Sequence, residues 1–150
     1  MPIRVLLDTN VLIDYLARRE PFFETACKLR IAAHFDDVEL WVCPQSFSDA
    51  EYVLRRAIPT DQLRSMMLGC LEFLHVAAPS AADLHDALAS SWPDLEDFLI
   101  ARGAERVKAS YLLTRDEKGF TESNVTALSP AEFLDMLKEE HNIEYDELEL

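Results

Sequence analysis

Four carboxylates stand where a folded chain can gather them: Asp8, Glu51, Asp97 and Asp116. Asp8 follows the apolar run Ile3-Arg4-Val5-Leu6-Leu7, and Asp116 closely follows Tyr111-Leu112-Leu113-Thr114. Glu51 falls in Ser48-Asp49-Ala50-Glu51-Tyr52 and Asp97 in Asp94-Leu95-Glu96-Asp97. Carboxylates converging on a dry cavity repel one another, so they take up protons or bind a cation. Oxygen-only ligands with retained waters suit Mg2+ or Mn2+ rather than zinc. Such an ion polarises a phosphate, lowers the pKa of water and stabilises a departing oxygen, which is the chemistry of phosphoryl transfer. Each acid also has a plain structural use. Asp8 can cap a helix, Glu51 can be solvated on one, Asp97 suits a helix N-terminus, and Asp116 suits a turn before Gly119. The set is more specific than its members.

The elements that must position these acids follow from hydrophobic periodicity and breaker residues. Residues 3–7 predict a buried strand ending at Asp8, and Asn10 to Arg19 a helix with Val11, Leu12, Tyr15 and Leu16 on one face. Pro21 opens a helix through about His34, Val38 to Cys43 reads as the second strand, and Gln45 to Ala57 as the helix after it. Further helices are expected over Asp61–Leu74 and Ala81–Ala89. Asp94 is the N-cap expected for a helix running to about Lys108. Tyr111 to Thr114 is a short strand, Arg115 to Gly119 a charged turn, and Thr126 to Leu128 a last short strand. Ser129-Pro130-Ala131-Glu132 starts a closing helix: cap, Pro at the first helical position, Glu three residues after the cap. Strands alternating with helices imply an α/β fold, a three-layer α/β/α sandwich with a central parallel sheet. Ligands of such sheets sit beyond the carboxyl ends of the strands, where Asp8 and Asp116 are expected.

Leu6-Leu7-Asp8-Thr9-Asn10-Val11-Leu12-Ile13-Asp14 resembles the opening of a PIN domain, the nuclease fold named after the PilT N-terminus. Asp94-Leu95-Glu96-Asp97-Phe98-Leu99-Ile100-Ala101 resembles that family's third acidic motif, and Leu112-Leu113-Thr114-Arg115-Asp116 its fourth. Leu128 to Leu134 is similar to its closing helix, so the resemblance covers residues 3 to about 138. It implies metal-dependent cleavage of RNA phosphodiesters, with Asp8, Glu51, Asp97 and Asp116 holding Mg2+ or Mn2+. Asp49 is the alternative to Glu51; the two point to different faces of one helix, so only one of them belongs to the set. Asn10 and Thr114 match polar positions that orient the acids or a water, and Arg115 is the cation best placed to meet a phosphate. Resemblance to VapC-type toxins implies a small antitoxin partner and a homodimer. Two alternatives remain open: a stand-alone RNA-processing nuclease, and a PIN-like binding module that no longer cleaves. An aspartyl phosphatase would want a second Asp where Asn10 stands. Arg102-Gly103 departs from the small residues usual in the family's helix; the glycine suits close helix–sheet packing.

The 150 residues, 49% of them hydrophobic, suffice for one domain with one core. No apolar run approaches the roughly 18 residues that span a bilayer, and the start lacks a signal-peptide pattern, so a cytoplasmic protein with no membrane partner is expected. Three cysteines without a CxxC suggest neither a disulfide framework nor a zinc site. Net charge is −14, and Glu139–Leu150 alone carries six acids and no Lys or Arg. That stretch is expected to be an acidic, solvated tail to a domain over residues 1–138. Without those six acids the chain has 22 acidic against 14 basic residues, a net of −8. An acidic surface excludes non-specific binding to nucleic acid but not a nuclease whose acidic site is filled by cations.

Overall fold

The computed structural model describes residues 1–145. Five strands form one parallel sheet: β1 (Ile3–Leu7), β2 (Val38–Val42), β3 (Leu74–Val76), β4 (Tyr111–Leu113) and β5 (Thr126–Leu128). Their spatial order is β3-β2-β1-β4-β5, with Leu7 opposite Val42 on one side and Leu113 on the other. The helices are α1 (Thr9–Leu16), α2 (Phe22–His34), α3 (Pro44–Leu54), α4 (Thr60–Cys70), α5 (Ala81–Ala89), α6 (Leu95–Arg106) and α7 (Pro130–His141).

Strand residues alternate between two apolar layers. Val5, Leu7, Leu40, Val42 and Leu113 face α1, α2, α3, α4 and α7 through residues such as Leu12, Leu29, Leu63 and Phe133. Leu6 and Leu112 face the other way, onto Ile100, Ala101 and Ala104 of α6 and Phe120. This is the three-layer α/β/α arrangement. Each fully buried Leu, Ile or Phe contributes roughly 1.5–3 kcal/mol. A slip of one residue in β1 would move Leu6 into the wrong layer, so the register is strongly specified.

The structure departs from the sequence expectations in three places. α4 stops at Cys70 and Leu74 opens β3, where the periodicity carried one helix on to Leu74. Only Leu74 of that three-residue strand is buried, too little to show a period of two. The charged turn after β4 contains a short 3-10 helix, Glu117–Phe120. Finally, the chain past residue 138 continues α7 to His141 and caps it with Asn142 in the left-handed conformation. Ile143 and Tyr145 then pack onto the core, and Tyr145 donates a 2.6 Å hydrogen bond to Asp37. Residues 146–150 of the expected tail lie outside the described residues.

Gly103 shows why α6 can lie so close to the sheet. A Cβ there would stand 2.6 Å from the Sγ of buried Cys43 and 3.4 Å from Leu6 Cδ1. Gly103→Ala should therefore destabilise the fold by about 1–2 kcal/mol, overpacking outweighing the helix propensity of alanine. In a Cys43→Ala background the same substitution should be neutral or stabilising. Urea unfolding of the four proteins of this cycle measures the coupling.

Candidate active site

From β1 the chain adds β2 and β3 on one side, then returns to place β4 and β5 on the other. The direction of winding reverses between β1 and β4, and a crevice opens there beyond the carboxyl ends. Asp8 leaves β1 and Thr114-Arg115-Asp116 leaves β4 at that crevice. The backbone joins the two exits, the Asp8 N–H donating to the Leu113 carbonyl at 2.9 Å.

One hydroxyl links the two acids. Thr114 Oγ1 donates to Asp8 Oδ2 at 2.7 Å and accepts from the Asp116 N–H at 2.9 Å. Asp8 is 6% exposed, and its Oδ1 caps α1 by accepting from the Thr9 N–H at 2.8 Å. Its capping use and its place in the crevice are therefore compatible. Asp94 caps α6 by accepting from the Asp97 N–H at 2.9 Å. This cap sets the first turn of α6 so that Asp97 faces Asp116 across Gly119. A Cβ on Gly119 would lie 2.7 Å from Asp97 Oδ2 and 3.3 Å from Asp116 Oδ2. Those oxygens are thus at most 6.0 Å apart, the sum of the two distances. Glu96 enters from the α6 side, accepting a 2.7 Å hydrogen bond from Thr9 Oγ1, which also bonds the buried Ser46 hydroxyl at 2.8 Å.

The electrostatics follow from this crowding. Burial raises the Asp8 pKa against the hydrogen bonds from Thr114 and Thr9, and the charges of Asp116 and Asp94 raise it further. Burial pushes Asp97 up to about 6, helped by the charges of Asp94, Asp8 and Asp116. Burial pushes Glu96 up to about 7, and the neighbouring Asp49 carboxylate, within hydrogen-bond reach, and Asp8 add to the rise.

The structure brings Asp8, Asp97 and Asp116 together, and with them Asp49, Asp94 and Glu96; it does not bring Glu51. Glu51 takes a fork from Arg64 of α4, Nε at 2.6 Å and Nη2 at 3.2 Å, and that arginine holds its pKa below the usual range. Two positions along α3 put Asp49 and Glu51 on different faces, and the Asp49 face meets Glu96. Glu96 itself was missed by the sequence reading. The signal was its place beside Asp97 in the first turn of a capped helix, where neighbouring residues flank one end of the axis. Arg115 is also placed differently from expectation. Its guanidinium forks onto Asp14, Nε to Oδ2 at 2.6 Å and Nη2 to Oδ1 at 3.1 Å, and lies 4.3 Å from the Phe22 ring centre. Asp14 is only 2% exposed, so Arg115 braces α1 against the exit of β4. The Arg115 N–H donates to Asn10 Oδ1 at 3.4 Å, which ties Asn10 to the same exit.

Among the described residues, no three His, Cys, Asp or Glu side chains are already gathered tightly enough to hold an ion. The donor set nonetheless fits a hard divalent cation. It is all oxygen, it is partly desolvated, and its repulsion is of the kind a cation relieves. Gly119 leaves room between two of the carboxylates that any larger residue would fill.

Residues 4–118 match the PIN domain family (PIN_3). The chain belongs to that family, whose members are as a rule nucleases. No curated protein matches the sequence. Similar solved structures include VapBC2 from Rickettsia felis bound to a DNA fragment from their promoter, 18% identical with a TM-score of 0.63. The match covers 85% of this chain and 98% of that one. FitAB bound to the IR36 DNA fragment is 15% identical with a TM-score of 0.59, covering 84% and 94%. FitAcB from Neisseria gonorrhoeae is 15% identical with a TM-score of 0.56, covering 85% and 98%. These likenesses are likenesses of fold.

The raised pKa values carry a pH signature. Between the ordinary carboxylate range near 4 and about 7, native Asp97 and Glu96 hold protons that the unfolded chain has released. Their contribution to stability therefore grows as the pH falls through that window. Asp83 acts oppositely and lower: Arg106, with Ser80 and Arg102, holds its pKa well below 3.8, so its contribution is lost only in stronger acid. The metal-free protein should melt at a higher temperature near pH 5 than near pH 8. Asp97→Asn should raise the metal-free Tm near pH 8 and flatten the profile, whereas Glu51→Gln should leave the profile's shape unchanged.

Proposed function

We propose that this chain is a divalent-metal-dependent endoribonuclease and the toxin of a toxin–antitoxin pair. The observation that carries the reading is the convergence of Asp8, Asp97 and Asp116 at the reversal point of the sheet, none of them paired with a Lys or Arg among the described residues. Asp8, Asp97 and Asp116 would hold the ion, with Asp49 rather than Glu51 as the acid from α3. Mg2+ or Mn2+ bound there would supply the positive charge that activates water and stabilises the departing 3′ oxygen. The chain's own part is to hold and orient. Thr114 fixes Asp8 and the Asp116 backbone together, and the Asp94 cap turns Asp97 inward. Thr9 Oγ1 donates to Glu96 Oε1, which fixes that acid at the crevice and favours its carboxylate form against the burial that raises its pKa.

The substrate class rests on the family resemblance, and the antitoxin on the structural likeness to complexes named VapBC2 and FitAB. The crevice chemistry agrees with such a partner: an acidic groove is complementary to a basic peptide. A homodimer is part of the same proposal. The net charge of −14 favours a second reading, a binding module that has lost cleavage. The retained acids weigh against it, because repelling carboxylates cost stability without a cation to serve.

The test is cleavage of total cellular RNA with Mg2+ or Mn2+, with mapping of the new ends. Wild type should cut internally. Asp8→Asn, Asp97→Asn and Asp116→Asn should each lose roughly 100-fold or more, the scale for a group acting on the transition state. Asp49→Asn should be impaired while Glu51→Gln retains activity. Equal activity of wild type and Asp8→Asn would remove Asp8 from the mechanism. No cleavage, with no metal-dependent rise in Tm, would leave only the binding module.

A further inference from the structure

Beside the acids lies a second feature that the metal site does not use. A cavity of about 350 Å³ opens between the loop before α6 and the 3-10 helix, lined by Trp92, Pro93, Asp94, Asp97, Lys118 and Thr121 among others. Asp97 belongs to both: it forms one wall of this cavity and one wall of the acidic crevice. Whatever occupies the cavity therefore sits one short step from the reacting phosphate.

The two tryptophans of the chain are held in contrasting ways. Trp41 stacks on His75 at 5.0 Å and 29°, has Arg4 over its ring, and donates from its indole N–H to Glu39 at 2.7 Å. Its interactions are complete within the protein. Trp92 meets Phe98 and Phe120 at steep angles, 80° and 70°, and no aromatic ring of the described residues lies parallel to it. Among those residues its indole N–H has no acceptor. The phenylalanines fix the ring against the second apolar layer, and Trp92 remains a wall of the cavity. A nucleotide offers a base whose π-face can stack on such a ring, and sugar and phosphate oxygens that can accept from its N–H. Lys118 supplies a cation on the same cavity, exposed and without an ion-pair partner among the described residues. The volume suits a small ligand and admits one nucleotide unit.

We infer that this cavity is a nucleotide subsite: one residue of the RNA strand next to the cut stacks its base on Trp92 and sets its phosphate by Lys118. The inference deepens the proposed ribonuclease function and rests on it for the source of the nucleotide. Thr121 Oγ1 offers the hydrogen bond that distinguishes one base from another, while the Trp92 N–H, lying in the plane of its ring, is left for the sugar or phosphate. The subsite thus makes cleavage sensitive to the base beside the scissile bond, independently of the metal.

Heteronuclear NMR of the two indole N–H groups tests this on the wild-type protein. The four ribonucleoside 5′-monophosphates are added one at a time with Mg2+, up to roughly 10 mM. The Trp92 signal should move with at least one of them while the Trp41 signal stays, and Lys118→Ala, an exposed change, should weaken the response. On RNA, Lys118→Ala and Trp92→Leu should raise KM and flatten the base preference beside the cut. A loss of roughly 5- to 100-fold is the range for removing one stacking platform. The Mn2+-dependent rise in Tm should match wild type in both variants. A Trp92 signal indifferent to all four nucleotides overturns the subsite. So does a Trp92 response coupled with unchanged KM and cut positions in both variants, which would mark a site for free nucleotides. A Trp92 response in a protein that cuts no RNA keeps the nucleotide pocket and overturns the ribonuclease reading instead.

Discussion

Carboxylates packed together and half removed from water work against the fold that holds them, because each one raises the cost of ionising the next. The crevice beyond β1 and β4 contains such a group: burial first, and the neighbouring carboxylates after it, push Asp97 up to about 6 and Glu96 up to about 7. The hydrogen bonds around it are arranged to hold the acids in place rather than to neutralise them. Thr114 bridges Asp8 and Asp116, Thr9 bridges Glu96 and Ser46, and Asp94 caps the turn that carries Asp97. The nearby arginine that might have quenched the charge is turned away onto buried Asp14. Under the proposed function, a divalent cation would complete such an arrangement.

The opposing stability comes from elsewhere in the molecule. Two apolar layers clamp the sheet, and α6 is drawn close enough to touch Leu6 and Cys43 because Gly103 has no side chain. On the outer side, buried Asp83 bonds Arg102 and Arg106, tying α5 to α6 and so steadying the helix that presents Glu96 and Asp97. The supports of the site are apolar contacts and ion pairs that lie outside the crevice.

Much of this was legible in the sequence where the signal is local. The strand exits at Asp8 and Thr114, the Asp94 cap and the Ser129 capping box are set by neighbours in the chain, and the structure has each of them. Features decided by tertiary packing were not legible. Whether Asp49 or Glu51 turns toward the crevice depends on which face of α3 meets the sheet, and that depends on where α4 and Arg64 lie. Arg115 looked free because nothing near it in the chain shows that Asp14 is buried. β3 was hidden because three residues with one buried side chain carry no periodicity. Ile143 and Tyr145 looked like part of a solvated tail because their contacts, Asp37 among them, come from distant segments.

The central claim is that these acids meet and lack only a cation, and carboxyl carbon chemical shifts followed by NMR through a pH titration address it directly. In metal-free protein at least two of the carboxyl groups of Asp8, Glu96 and Asp97 should titrate above about pH 5.5, and Mg2+ should shift those titrations to much lower pH. Ordinary titrations near pH 4 for all three, unmoved by Mg2+, would contradict the account.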